Sequence, residues 1–155
     1  TILGGEIIID ASISSQFISS LLLIAPTLAN GLILNISGNL VSKSYIQMTL
    51  GLMEEFGINH SWKGNKIVVK QQNYIGKNYT VEADWSAATF WFQIAALTEN
   101  CNIQLNGLYQ KSIQGDAKAK TIFKDFGIDS VFEKICSLYK KWSTFIQTCF
   151  KCSKI

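Results

Sequence analysis

The stretch Asp10-Ala11-Ser12-Ile13-Ser14-Ser15-Gln16-Phe17-Ile18-Ser19-Ser20-Leu21-Leu22-Leu23-Ile24-Ala25-Pro26 sets a hydroxyl-rich turn directly against a strongly apolar run. It predicts a helix start. Ser14 or Ser15 can accept from a backbone N–H two or three residues on, and the remaining free N–H groups at the positive end of the helix dipole suit an anion such as phosphate. The Gln16 amide adds a donor. Serines also cap helices where nothing binds, and this pattern alone does not separate the two readings.

Working outward, Gly5-Glu6-Ile7-Ile8-Ile9-Asp10 is a short β-branched strand, and the helix spans about residues 14–28. Asn30-Gly31 turns the chain, and Leu32, Leu34 and Ile36 alternate as a second strand closed by Ser37-Gly38-Asn39. Ser42-Lys43-Ser44-Tyr45 opens a second helix with Ile46, Leu50 and Met53 on one face, and Gly57 stops it. His60-Ser61-Trp62 and Ile67-Val68-Val69 flank the hairpin turn Lys63-Gly64-Asn65-Lys66. The unit reads βαβαββ. Further on, Tyr79-Thr80-Val81-Glu82 predicts a strand and Asp84-Trp85-Ser86 a helix start. Cys101, Ile103 and Leu105 alternate as a strand, and Asp116 is expected to cap a helix whose stripe is Ala119, Ile122, Phe123 and Phe126.

The chain repeats itself. Phe56-Gly57-Ile58 recurs as Phe126-Gly127-Ile128, Asn30 as Asn100, and the helix start at Ser14 as that at Asp84, each seventy positions later. That period exceeds the roughly 20–50 residues of solenoids and implies two copies of a compact subdomain. Phe17, Ile18 and Leu21 to Ala25 in one copy, and Trp85, Ala87, Ala88, Phe90, Trp91, Phe92, Ile94 and Ala95 in the other, make the first helix apolar nearly all round. Such helices belong in an interior, which predicts an α/β (α+β type) fold of repeated βαβαββ units with central buried helices and outer sheets. An ordinary two-layer α/β sandwich is the alternative.

A net charge of +3 from fourteen lysines and no arginine, without a dense basic block, gives nucleic-acid binding no support. The run 17–36 is apolar, but Ser19, Ser20, Pro26, Asn30, Gly31 and Asn35 interrupt it short of the about twenty residues of a membrane span. The expectation is a cytoplasmic chain with no secretory leader that begins inside a longer protein. Cys149 and Cys152 form a lone CxxC far in sequence from His60, the only histidine, so no metal is expected. No cofactor is expected either. Residues 134–155 hold five lysines, three cysteines and no acid, and Ile135, Leu138, Trp142, Ile146 and Cys149 fall on one helical face. They read as a basic amphipathic helix or as a frameshifted or foreign tail.

Four motifs in order resemble the 5-enolpyruvylshikimate-3-phosphate synthase family. They are Ser14-Ser15-Gln16-Phe17, then Leu40 to Ile46 with Met48-Thr49-Leu50, then Val81-Glu82-Ala83-Asp84-Trp85-Ser86-Ala87-Ala88, and Gln114-Gly115-Asp116. Asp-Trp-Ser-Ala-Ala is similar to the variant of Bacteroidetes-type members. The resemblance covers residues about 1–134. It implies an enolpyruvyl transferase-like, inside-out α/β barrel, present in part. Residues 1–80 would be the last βαβαββ unit of the shikimate-phosphate-binding domain, residues 81–134 the beginning of the second domain's final portion, and residues 135–155 a divergent basic tail.

By the same resemblance Ser14, Ser15, Gln16, Ser42 and Tyr45 hold shikimate-3-phosphate, Gln16 also touching phosphoenolpyruvate. Ser44 stands where the family usually has proline, which loosens the placing of Ser42. The implied reaction moves the enolpyruvyl group of phosphoenolpyruvate onto shikimate-3-phosphate in chorismate and aromatic amino-acid biosynthesis, and the full-length enzyme is expected to be a monomer. The family's catalytic acids, lysine and arginines have no counterparts in this chain, so it is expected to be inactive alone. No role falls on Lys43, and capping accounts for Asp84 and Asp116. A non-catalytic module of the same repeat for RNA or another phosphorylated ligand is the alternative function. A nucleotide-sugar enolpyruvyl transferase is a third, which lacks the Ser-Ser-Gln pattern.

Overall fold

In a computed structural model, residues 2–140 are described except Ala11, Ile13, Asn39, Val41, Ser42 and Lys134. Two compact units form, Thr1–Tyr79 and Thr80–Ile155.

The first unit runs β1 (Gly5–Asp10), α1 (Ser15–Ile24), a 3-10 turn (Ala25–Thr27), β2 (Leu32–Ser37), α2 (Lys43–Glu55), β3 (His60–Lys63) and β4 (Lys66–Val69). The βαβαββ order read from the residues is the one that folds. The sheet order is β1-β2-β4-β3, with β1 and β2 parallel and the other pairs antiparallel. Period-two alternation turns Leu32, Leu34 and Ile36 to one face, where they meet Ile18 and Leu22 of α1 and Ile46, Leu50 and Met53 of α2 in one core. Ser14 and Pro26 punctuate α1 at its two ends: Ser14 Oγ accepts from Gln16 N at 3.3 Å, and Pro26 falls in the first turn of the 3-10 segment that follows.

The second unit runs α3 (Trp85–Leu97), β5 (Cys101–Leu105), the 3-10 turn Gly115–Lys118, α4 (Ala119–Ile122), the 3-10 turn Phe123–Phe126, β6 (Asp129–Phe132) and β7 (Cys136–Lys140). Its sheet order is β5-β7-β6, all antiparallel. That is the β2-β4-β3 half of the first sheet, displaced by about seventy residues. Trp85, Phe92, Ile128, Cys136 and Leu138 form its core.

The Phe-Gly-Ile repeat has a structural cause. Gly57 N donates to Glu54 O at 2.9 Å and Ile58 N to Met53 O at 3.0 Å, and the copy repeats both bonds as Gly127 N to Lys124 O at 3.0 Å and Ile128 N to Phe123 O at 3.1 Å. Both glycines are left-handed, at φ 85° and 77°, and both isoleucines are buried. This is a Schellman stop with its hydrophobic anchor, used twice.

Three expectations are corrected. Tyr79–Glu82 is not a strand. The residues seventy beyond β1 are instead held on the first unit: Ile75 N donates to Phe56 O at 2.9 Å, Lys77 pairs with Glu55 at 2.6 Å, and Tyr79 packs on the Phe56 ring. Residues 136–140 are not helical but form the central strand of the second sheet, where Lys140 is buried and its Nζ donates to Ala96 O near the end of α3. Residues 141–155, with Trp142, Ile146, Cys149 and Cys152, lie outside the described residues. Asp116 does not cap its helix: it is the second residue of a 3-10 turn capped by Gln114, and its carboxylate accepts from Ser86 Oγ. Of the stripe expected after it, Ala119 is buried and Phe123 half-buried, while Ile122 and Phe126 are exposed.

Candidate oxyanion-binding edge

Because β1 and β2 are parallel neighbours, with Asp10 opposite Ser37 in register, the chain leaves both strands at the same edge of the sheet. The helices that follow therefore start at that edge, α1 at Ser15 and α2 at Lys43. The carboxyl edge of parallel strands is where open α/β sheets place ligands. Neither helix has an acidic residue in its first turn, so the positive dipole ends are left without an internal counter-charge.

Of the five residues expected to hold a phosphate, four are described at this edge. Ser14, Gln16 and Tyr45 are exposed and Ser15 is half-buried, while Ser42 lies outside the described residues. Ser14 is the actual cap: its Oγ accepts from Gln16 N, leaving its own proton to donate. Among the described residues, no hydrogen-bond partner engages the Ser15 hydroxyl, the Gln16 amide or the Tyr45 phenol.

The charges around this edge are few. Asp10 Oδ1 accepts from Ser12 N at 2.8 Å, and this backbone bond, with a further bond to Ser12, holds the carboxyl below its ordinary range. Lys43 Nζ sits 5.1 Å from the centroid of the Trp62 ring, a cation–π contact. Lys66 at the hairpin is paired with Glu6 at 3.4 Å. The Asn35 amide on Glu6, joined by Lys66, keeps the Glu6 carboxyl below its ordinary value.

One feature of the edge was not read from the residues. Ser19 Oγ on α1 and Thr49 Oγ1 on α2 lie 2.8 Å apart, and Thr49 Oγ1 donates to Tyr45 O at 3.0 Å. The signal was the spacing four between Ser15 and Ser19 and between Tyr45 and Thr49, which puts each pair on one helix stripe.

The repeated copy differs at the corresponding helix start. Seventy residues after Ser14, Asp84 caps α3 by accepting from Ser86 N at 2.8 Å, as the sequence led one to expect. A carboxylate cap neutralises the dipole end that an anion would need. Glu82 organises the adjoining loop: Oε1 accepts from Trp85 Nε1 at 2.7 Å and Tyr109 N at 2.9 Å, and Oε2 from Ser112 Oγ at 2.7 Å and Gln114 Nε2 at 3.3 Å.

A groove of about 540 Å³ lined by Asn59, His60, Ser61, Val68, Lys70, Gln71 and Gln72 lies at the opposite edge of the first sheet, where Val69 pairs with Leu32 at the beginning of β2. It is separate from the two helix starts. Among the described residues no three His, Cys, Asp or Glu side chains gather as metal ligands, and no helix is long and apolar enough to cross a membrane.

The fold defines an α/β protein with one complete βαβαββ unit and a second copy that keeps the αβαββ part, and the two helix starts at one sheet edge of the first are the candidate site. Residues 2–142 match the family described as EPSP synthase (3-phosphoshikimate 1-carboxyvinyltransferase), and the chain belongs to that family. A 3-phosphoshikimate 1-carboxyvinyltransferase of Bacteroides fragilis is 43% identical over 145 residues, which take in 93% of this chain and 35% of the relative. One of Buchnera aphidicola is 42% identical over 142 residues, 89% of this chain and 32% of its own. An EPSP synthase structure from Acinetobacter baumannii superposes with a TM-score of 0.61 at 23% identity, covering 89% of this chain and 32% of that one, a likeness of fold. The chain spans about a third of the length of these relatives. The match reaches past residue 135, where the recognisable motifs end, and takes in β7.

Proposed function

We propose that this chain is part of a carboxyvinyltransferase that moves the enolpyruvyl group of phosphoenolpyruvate onto shikimate-3-phosphate, and that its first unit grips the phosphate of shikimate-3-phosphate. The observation that carries this reading is the pair of acid-free helix starts at one edge of the β1–β2 pair. Ser14, Ser15, Gln16, Ser42 and Tyr45 are its ligands, each hydroxyl or amide supplying a charge-assisted hydrogen bond of about 1.5–3 kcal/mol. Gln16, at the rim, also reaches phosphoenolpyruvate.

The chemistry itself needs more than this chain carries. Addition to phosphoenolpyruvate and expulsion of phosphate call for proton transfer and for cationic clamps on two anions. Not one of the 155 residues is arginine, and lysine is a point charge that does not reproduce a bidentate fork. The chain therefore binds and does not turn over. Residues 1–80 belong to the shikimate-phosphate-binding domain and residues from 81 open the final portion of the other, in a cytoplasmic enzyme.

Calorimetric titration of the chain with shikimate-3-phosphate tests the reading. Binding is expected in the wild type and about ten-fold weaker binding in Ser15→Ala, the loss of one charge-assisted bond. Salt-sensitive RNA binding without shikimate-3-phosphate binding would overturn it in favour of a nucleic-acid module. Product formed from both substrates by the chain alone would overturn the claim that it does not turn over.

A further inference from the structure

We propose that Ser19 and Thr49 are positioning residues whose hydrogen bond sets the gap between the two helix starts, and with it the affinity for a phosphate-bearing ligand; this rests on the substrate reading above. The two hydroxyl oxygens lie 2.8 Å apart across the α1–α2 contact, and Thr49 Oγ1 lies 3.0 Å from Tyr45 O. A hydroxyl has one proton to give. Thr49 donates its own to the Tyr45 carbonyl, which leaves Ser19 as the donor to Thr49. The chain of bonds thus runs one way, from α1 to the backbone of the residue that carries the phenol.

The register makes the pair relevant to a ligand. Ser19 follows Ser15 by four residues and Thr49 follows Tyr45 by four, so each lies on the same stripe as its ligand residue, about 6 Å further along the axis. The clasp sits one turn beneath both. Ile18 and Leu22 on α1 and Ile46, Leu50 and Met53 on α2 already supply the apolar contact between sheet and helices. Apolar contact is non-directional and leaves two helices free to slide by fractions of an ångström, whereas a hydroxyl pair fixes one distance. A binding constellation must be held to about 0.5 Å, so the clasp acts at the tolerance that matters.

The experiment titrates the chain with shikimate-3-phosphate at a temperature where circular dichroism shows every variant folded. Ser19→Val and Ser19→Thr are nearly isosteric and differ in the hydroxyl. Ser19→Thr is expected to bind within about two-fold of wild type and Ser19→Val about five-fold more weakly, as the loss of one neutral hydrogen bond implies. Ser19→Val/Thr49→Val should bind no more weakly than Thr49→Val alone, because one bond cannot be lost twice. Thr27→Val is the control. Its hydroxyl donates to Ile24 O at 2.7 Å beyond the far end of α1, so the variant should lower the melting temperature and leave affinity unchanged. Equal affinity in Ser19→Val and Ser19→Thr, or an equal loss in Thr27→Val, overturns the positioning role alone. A wild type that does not bind shikimate-3-phosphate overturns the substrate reading, and the clasp's role with it.

Discussion

Ser14 serves the fold and the proposed ligand with different atoms of one hydroxyl: the oxygen accepts from Gln16 N, and the proton stays available. Ser14→Ala should therefore cost about 1 kcal/mol in urea unfolding without ligand, the ordinary worth of a cap, and more in saturating shikimate-3-phosphate, where the donated bond is lost as well. Glu82 is a heavier commitment. Its two oxygens take four donors, one of them the indole N–H of Trp85, whose side chain is fully buried. Glu82→Ala strands that N–H and should destabilise the chain by about 2–3 kcal/mol, read by denaturant titration. Glu6 and Asp10 are expected to contribute to a loss of stability in acid. Both carboxyls sit below their ordinary values of 4.5 and 3.8, Glu6 through Asn35 and then Lys66, Asp10 through the Ser12 backbone. A depressed folded-state value means the stabilisation is whole above the ordinary value and is lost as pH falls through the folded one. Glu6→Gln should flatten the urea midpoint below about pH 4.5, and an unchanged pH profile would contradict this. Burial pushes the Cys136 thiol up to about 11, against a smaller pull from Lys120, so alkylation at pH 8 with peptide mapping should modify half-buried Cys101 before Cys136.

At the scale of elements, the stops and turns carry their own chemistry, and the two kinds of left-handed glycine should behave differently when replaced. Gly127 ends the 3-10 turn Phe123–Phe126 at φ 77°, and a Cβ there meets nothing within 4 Å, so Gly127→Ala should cost about 1–2 kcal/mol, the backbone penalty alone. Gly31 enters β2 at φ 61°, and a Cβ there falls 2.5 Å from Val69 O, part of the backbone of β4. Gly31→Ala must shift a strand as well, so its cost should exceed that of Gly127→Ala in the same assay. These local signals explain what was legible: Ser14, Asp84, Gly31, Gly57 and Gly127 were readable as caps and turns because each acts within a few residues. The misreadings were long-range. Tyr79–Glu82 has strand composition, but Ile75, Lys77 and Tyr79 are drawn onto the first unit by Phe56 and Glu55. Ile135 and Leu138 fit a helical stripe, yet Cys136, Leu138 and Lys140 are the buried ones, a period of two that so short a run cannot declare. At the candidate site, the helix starts were legible for the same local reason, whereas the Ser19–Thr49 bond joins residues thirty apart and depends on how α1 and α2 pack.

At the scale of the whole chain, the first helix of each copy is apolar on more sides than its own unit covers. In α1 the buried residues are Ile18 and Leu22, while Phe17, Leu23 and Ile24 are exposed. In α3 Trp85, Ala88, Phe92 and Ala95 are buried, while Phe90 is 64% and Leu97 88% exposed, with Trp91 and Ile94 near half. The expectation that these helices lie in an interior is thus met on one face of each within the chain. Contiguous apolar surface of this kind drives association when left in water. The chain in dilute buffer should accordingly bind a hydrophobic dye and form higher species as its concentration rises, seen as a growing sedimentation coefficient. Phe90→Lys with Leu97→Lys removes the most exposed part of the α3 face without touching the buried one, so melting should change by only a few degrees while dye binding and association fall together. Substitutions of the same charge on the polar surface, at Asn102 and Gln104 of β5, separate a general gain in repulsion from loss of the apolar face. If they suppress association as strongly, net charge and not the helix face is responsible.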